Sequence, residues 1–371
     1  MRPAVSPKNL DEPHEEWATR RSHACGAQRT WGETVTLKFV DLFSAHQLIT
    51  SIRSGGGGAH VGGVGGVFPK TASATITPRQ AGVAIGLAPG RNLTDVQIAV
   101  LVTRPNVRTN AFVQQIQRRT NDLMVDKVGP MNATDPVPAV RSANPYRGAI
   151  RPLLPGSSVG NIRKVHAGTL GGFVEAADGA THVLSNNHVL ALSTLRGGPS
   201  TAATGDLITQ PGRLDGGSRH HGAATLSGCV PLDSSDYNYM DVATARVPNG
   251  TNFDVSWNGL RVRGVRAPLL GEPVFKVGRT TQVTIGRVIA TDVGDFPVEY
   301  NGTSVYFDEQ ILVQGKQGAV FSEPGDSGSL IVAATDNHAV ALLFAGNEST
   351  KHTIASPLER VLREIGMSLI Y

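Results

Sequence analysis

Glu323-Pro324-Gly325-Asp326-Ser327-Gly328-Ser329 runs directly into the apolar stretch Leu330-Ile331-Val332-Ala333-Ala334. Glycines at 325 and 328 leave the chain free to turn tightly around Ser327, so that successive backbone N–H groups point into one concavity. An acyl-transfer site needs that arrangement, a nucleophilic hydroxyl beside donors that receive an oxyanion. Taken alone, the same residues also read as a polar turn entering a buried strand.

Two other stretches answer the first. Thr181-His182-Val183-Leu184-Ser185-Asn186-Asn187-His188 is an apolar strand running into a polar corner that ends in histidine. Met240-Asp241-Val242-Ala243-Thr244-Ala245-Arg246-Val247 places an aspartate at the head of an alternating strand. The chain order is therefore His188, Asp241, Ser327. Asp236 is the nearest competitor for the acid, but only Asp241 is followed at once by strand. An α/β-hydrolase elbow is excluded, because position 329 is Ser rather than Gly and the acid and histidine precede the serine.

On these three motifs the chain resembles the trypsin-like serine peptidases of the chymotrypsin superfamily, in the bacterial form that carries a small N-terminal module. The resemblance implies a mostly β fold, a chymotrypsin-like double six-stranded β-barrel with a C-terminal helix, preceded by a small α+β module. It also implies the roles: Ser327 as nucleophile, His188 as general base and then acid, Asp241 as the group that fixes the imidazole tautomer. The N–H groups of Gly325 and Ser327 would form the oxyanion hole. Asp326 would turn inward and needs a cation. Val274-Phe275-Lys276-Val277-Gly278-Arg279-Thr280-Thr281 resembles the Gly-Arg-Thr-Thr segment of bacterial members, so Lys276 or Arg279 is expected to supply it, without zymogen cleavage. An internal cation further predicts that a chain starting near Arg163 folds alone. By resemblance the substrate pocket is lined by Phe321 and by Phe344, Ala345, Gly346 and Asn347. No acid stands at its floor, which predicts an uncharged side chain there; His352 reading an acidic one is the alternative.

Bulk composition agrees with many short strands and turns: 43 glycines, 22 prolines and 5% aromatics in 371 residues. A net charge of +4, with arginines loosely spread over 104–119 and 141–163, predicts no dedicated nucleic-acid site. Cys25 and Cys229 are the only cysteines, far apart, and the polar residues through Arg21 offer no signal-peptide core. With no apolar run long enough for a membrane span, the expectation is a cytoplasmic protein with a polypeptide substrate and neither cofactor nor metal.

Along the chain, 1–75 reads as a disordered or weakly structured extension, with a short apolar piece from Val35 to Ile52 and glycine runs after it. Residues 76–131 read as the α+β module: a strand at Val96 to Val102, a helix at Ala111 to Arg119 and a strand at Leu123 to Val128. The module would be a structural prodomain or a regulatory cap through which a partner acts. A Pro-rich linker, 132–163, follows. The peptidase domain is 164–371, with barrels about 166–250 and 268–356. Its closing helix, 357–366, is introduced by Ser356-Pro357-Leu358-Glu359, which reads as a capping box. Two functions fit this reading: a serine endopeptidase, and a catalytically silent peptidase-fold binding or regulatory module.

Overall fold

Six strands of the second half pair into a closed ring: Pro273–Gly278, Gln282–Gly294, Gln310–Gly315, His352–Pro357, His338–Asn347 and Leu330–Ala333, which returns to the first. The computed structural model describes residues 39–53, 76–90, 95–133, 136, 144–199, 201–257 and 260–371. Alternation explains the ring, since Val274, Val288, Ile311, Val313, Ile331, Ala333, Ala341, Leu343 and Ala355 all point into one shared core.

The first half forms an eight-stranded sheet in the spatial order Met367–Ile370, Gly172–Ala176, Thr181–Ser185, Ala243–Arg246, Gly222–Cys229, Leu207–Thr209, Ser158–Asn161 and Gly168–Thr169. It curls around Val159, Phe173, Val183, Ile208, Leu226 and Ala245, but its ladder does not close on itself as the second one does. The molecule is thus mostly β, a closed barrel beside a half-barrel. The C-terminal Met367–Ile370 strand follows the Leu358–Ile365 helix and stitches the chain end back onto the first sheet.

That helix starts one residue later than expected. Ser356 does not cap it; its hydroxyl is buried in the preceding strand and donates to Gln310 Oε1 across the ladder. Pro357 stands at the N-cap without a side-chain bond, and Gly366 ends the helix at φ +64°. Leu358, Val361 and Leu362 form its buried face, as their spacing requires.

The expected elements of 76–131 are present: strands Val96–Val102 and Leu123–Lys127, paired in parallel, and helix Thr109–Gln117. A further strand, Val83–Pro89, pairs with Val96–Val102 on one side and with Gln282–Gly294 of the closed barrel on the other. The module's sheet is therefore continuous with the barrel wall. A core of Ala99, Leu101, Met131, Val293, Phe296, Phe307, Leu312, Phe344 and Ile354 fills the space between them.

Most of 1–75, including His14, His23 and Cys25, lies outside the described residues. Where that stretch is described it departs from the expected weak structure: Phe39–Arg53 is a helix. Ile49 and Ile52, three residues apart on one face, bury against Ile85, Val100 and Phe112. Arg53 then pairs with Asp308 at 2.7 Å and donates to the carbonyls of Ile85 and Asp292. Among the described residues no helix is long and apolar enough to cross a membrane.

The continuous sheet counts against the expectation that a chain starting near Arg163 folds alone. Such a chain would expose the outer wall of the barrel, Val293, Phe296, Leu312 and Ile354 among others, and leave the edge of Gln282–Gly294 unpaired. A chain starting at 76 should unfold cooperatively in urea. One starting at 164 should show a markedly lower midpoint and bind a hydrophobic dye; equal midpoints would mean the module adds nothing to the barrel.

Candidate active site

Ser327 lies in the turn just before the Leu330–Ala333 strand, and that turn is held by one buried carboxylate. Asp326 is wholly buried. Its Oδ1 accepts from the backbone N–H groups of Thr280 at 2.8 Å and Thr281 at 3.1 Å. Its Oδ2 accepts from the Thr281 hydroxyl at 2.6 Å and the Glu323 N–H at 3.0 Å, and lies 3.1 Å from Lys276 Nζ. Lys276 is itself wholly buried, and that burial depresses its ammonium pKa against the opposing pull of Asp326. Gly278 is required here, because a Cβ would stand 2.4 Å from Asp326 Oδ1. Of the two cations expected for Asp326, the structure therefore places Lys276 against it.

Arg279 has a different partner. It is almost fully buried, and its guanidinium grips both oxygens of Asp215, whose Oδ2 also accepts from Ser158. This ties the closed barrel to the first sheet. The Gly325 carbonyl accepts from Thr169 Oγ1, and the Ser327 carbonyl accepts from Thr169 N–H, so the serine turn is fastened to the first sheet as well. Among the described residues the N–H groups of Gly325 and Ser327 meet no acceptor within the chain, as donors awaiting an oxyanion must. Gly325 lies at φ +97°, and a Cβ there would meet Thr280 and Arg279.

His188 and Asp241 come together at the corner after the Thr181–Ser185 strand. His188 Nδ1 is 2.5 Å from Asp241 Oδ2, and His188 N–H donates to Oδ1 at 3.2 Å. An ionised carboxylate can only accept, so the Nδ1 position carries the proton and the Nε2 lone pair is left over. Asn186 Nδ2 donates to the Asp241 carbonyl and fixes the corner to the aspartate's own backbone. Asp236 takes no part; its carboxylate accepts from the Tyr237 N–H beside it. Gly168, wedged between Val189 and the Ser327 carbonyl, brings the histidine corner against the serine turn.

Sequence reading missed Tyr300. Its buried hydroxyl donates to Asp241 Oδ2 at 2.7 Å, and its ring stands edge-on to His188, centroids 5.9 Å apart. Burial, then the Asp241 charge, raises its pKa well above the ordinary value, so it stays a donor. No local pattern signals this, because Tyr300 reaches Asp241 through a hairpin, Phe296–Tyr300 with Thr303–Phe307, whose path is set only by packing.

Ser327 and His188 are not hydrogen-bonded to each other. Among the described residues buried His188 Nε2 meets no hydrogen-bond partner, and Ser327 Oγ donates to the Phe344 carbonyl at 3.3 Å. Both residues are covered, at 6% and 7% exposure.

The expected pocket residues divide. Phe321 packs into the barrel core rather than lining an opening. Phe344 offers its carbonyl to Ser327 while its ring stacks on Phe307, 4.6 Å between centroids. Ala345 belongs to the core beneath the module. Gly346 faces Ser322 and Thr353, whose hydroxyls meet at 2.6 Å; Ser322 and Thr353 are further polar groups that the sequence did not single out. His352 points away from that pair, to Asp126 of the module, Nε2 to Oδ2 at 3.3 Å. The hydrogen bond to His352 holds the Asp126 carboxyl below the usual carboxylate range. Among the described residues no cluster of His, Cys, Asp and Glu could hold a metal ion.

A Nal1 C-terminal domain model matches residues 235–352, a window that contains Asp241, Lys276, Arg279 and Ser327 but stops short of His188. Protein NARROW LEAF 1 of Oryza sativa subsp. japonica is 34% identical over 108 residues, a match covering 25% of this chain and 18% of that protein. The chain therefore spans less than a fifth of the length of that relative. Among solved structures, Thermobifida fusca Protease A is similar with a TM-score of 0.42 and 17% identity, over 59% of this chain and 98% of its own. Cellulomonas bogoriensis chymotrypsin is similar with a TM-score of 0.40 and 19% identity, over 59% and 98%.

Two predictions follow from the geometry. Lys276→Met should cost about 3–5 kcal/mol in urea unfolding, because it strands a buried carboxylate; Arg279→Met should also be costly, since it strands Asp215, and a neutral result for either would mean that carboxylate is solvated. Tyr300→Phe keeps the ring but removes a bond to a charged acceptor, and should lower stability by about 1.5–3 kcal/mol; an unchanged midpoint would show the hydroxyl to be idle.

Proposed function

We propose that this chain is a serine endopeptidase that cleaves peptide bonds through an acyl-enzyme. The observation that carries this reading is the His188–Asp241 pair beside a serine turn, with His188 Nε2 and the turn's two N–H groups meeting no partner among the described residues. In that reaction Ser327 Oγ attacks the scissile carbonyl as His188 Nε2 takes its proton. The oxyanion is received by the Gly325 and Ser327 N–H groups, and Asp241 stabilises the imidazolium that forms. His188 then returns the proton to the leaving amine. Water, deprotonated by the same nitrogen, attacks the ester, and His188 gives that proton to the departing Ser327 Oγ as the acid is released. Asp241 is well placed for its part, since it accepts from His188 twice and from Tyr300 once.

A second reading, a peptidase-fold binding module without turnover, is favoured by one observation: the Ser327 hydroxyl is spent on Phe344 rather than on His188.

Labelling with a fluorophosphonate probe separates the two. The unaltered protein should label at Ser327 and Ser327→Ala should not. On a peptide substrate, Ser327→Ala and His188→Ala should each lose turnover by a factor on the order of 10⁴ to 10⁶, and the double variant should be hardly worse. Labelling that survives Ser327→Ala, or losses that multiply, would exclude the triad.

A further inference from the structure

The strand Met131–Asn132 lies against the strand whose Phe344 carbonyl meets Ser327. Phe344, whose carbonyl accepts from Ser327 Oγ, belongs to the His338–Asn347 strand. One edge of that strand is filled by His352–Pro357, through Ala345↔Ile354 and Gly346↔Thr353. The other edge takes Asn132, antiparallel and opposite Gly346. Antiparallel pairing sets Ala133 one step nearer Phe344 than Asn132 is.

The fit is close. Met131 is fully buried and Ala133 nearly so, in the same core as Phe344, Ala345 and Ile354. Asn347 Nδ2 donates to the Pro130 carbonyl, and Thr350 Oγ1 donates to the Val128 carbonyl, each at 2.7 Å. On the far side Met131 and Asn132 pair in parallel with Val298 and Glu299, and the Ala133 N–H donates to the Glu299 carbonyl at 3.1 Å. The pairing is short, however: Met131–Asn132 is a two-residue strand held by few ladder bonds. A second, independent observation belongs to the same place. Among the described residues the buried His188 Nε2 meets no partner while Ser327 Oγ turns to Phe344, so His188 and Ser327 are uncoupled beneath this cover.

We propose that residues 130–133 are an intramolecular occupant of the substrate groove. An extended polypeptide binds by adding a strand to the 344–347 edge in their place, with an apolar side chain where Met131 sits and a small one where Ala133 sits. Main-chain bonds supply the grip and the flanking side chains the selection, as in strand addition generally. The proposal deepens the peptidase reading by naming the form of its substrate and what keeps the site closed, and it rests on that reading only for the chemistry that follows binding.

The test uses a fluorescent peptide of residues 126–133, Asp-Lys-Val-Gly-Pro-Met-Asn-Ala, added to the full chain carrying Ser327→Ala, so that binding is read by anisotropy without turnover. A tethered segment acts at roughly millimolar effective concentration, so the peptide should bind weakly. Met131→Asp, which puts a charge in a buried apolar place, and Ala133→Pro, which removes the N–H given to Glu299, should each tighten peptide binding by about ten-fold or more. Equal binding with and without these changes, or none in either, overturns the proposal. Should both variants fail to fold, hydrogen exchange of the unaltered chain decides it. The amides of 131–133 should open at lower denaturant than those of 338–345; opening only with global unfolding would make the strand a fixed part of the barrel wall. Probe labelling of the same variants with Ser327 restored keeps the two readings apart. Tighter peptide binding without labelling removes the peptidase reading and leaves the occupancy standing.

Discussion

A single buried carboxylate, that of Asp326, holds the serine turn in shape. An isolated carboxylate in such a place would be too costly to keep ionised, and the structure offsets that cost with Lys276 and with donors from Thr280, Thr281 and Glu323. All these partners except Glu323 come from the Pro273–Gly278 strand and the turn after it. The geometry around Ser327 is therefore set by the second barrel's opening hairpin rather than by its own neighbours in sequence. The same hairpin reaches the first sheet through Arg279 and Asp215, so the ion pair that shapes the turn and the one that joins the two halves are three residues apart.

Asp241 shows the same economy. It orients His188, takes a third bond from Tyr300, and its backbone carbonyl anchors Asn186 at the histidine corner. Tyr300 matters because it arrives from the second half of the chain. The acid of the first sheet is thereby completed only when the Phe296–Tyr300 hairpin packs over it, and that hairpin is also one wall of the groove occupied by Met131–Asn132. Site assembly and groove closure are thus properties of one packed layer, the core shared by Met131, Phe296, Tyr300, Phe307 and Phe344. Displacing the Met131–Asn132 strand would disturb that layer next to His188 and Asp241.

The module's role changes accordingly. Read in isolation, a strand, a helix and a strand make a small unit that could stand apart. In the structure it supplies a strand to the barrel wall, covers the barrel's outer apolar face and threads its exit across the groove. Parts placed so far apart in sequence must close long loops before their contacts form, so the covered state depends on the whole fold rather than on a local motif.

What the sequence determined by itself is what short-range chemistry encodes. Alternation of apolar residues marked most strands, since side chains on successive residues face opposite ways. The Gly-Asp-Ser-Gly turn, the strand ending at His188 and the strand opening at Asp241 marked the candidate triad, and Asp241 was preferred to Asp236 because strand follows it directly. The internal cation was legible as Lys276 or Arg279, yet choosing between them required the fold: residues three apart across a strand end point in different directions, and only tertiary packing shows which meets Asp326 and which meets Asp215. The helix at Phe39–Arg53, the Val83–Pro89 strand, Tyr300 on Asp241, His352 on Asp126 and the self-occupied groove were likewise decided in three dimensions. Each joins segments remote in sequence through burial and register, and neither propensity nor spacing along a single chain specifies which distant edge a short strand will pair with.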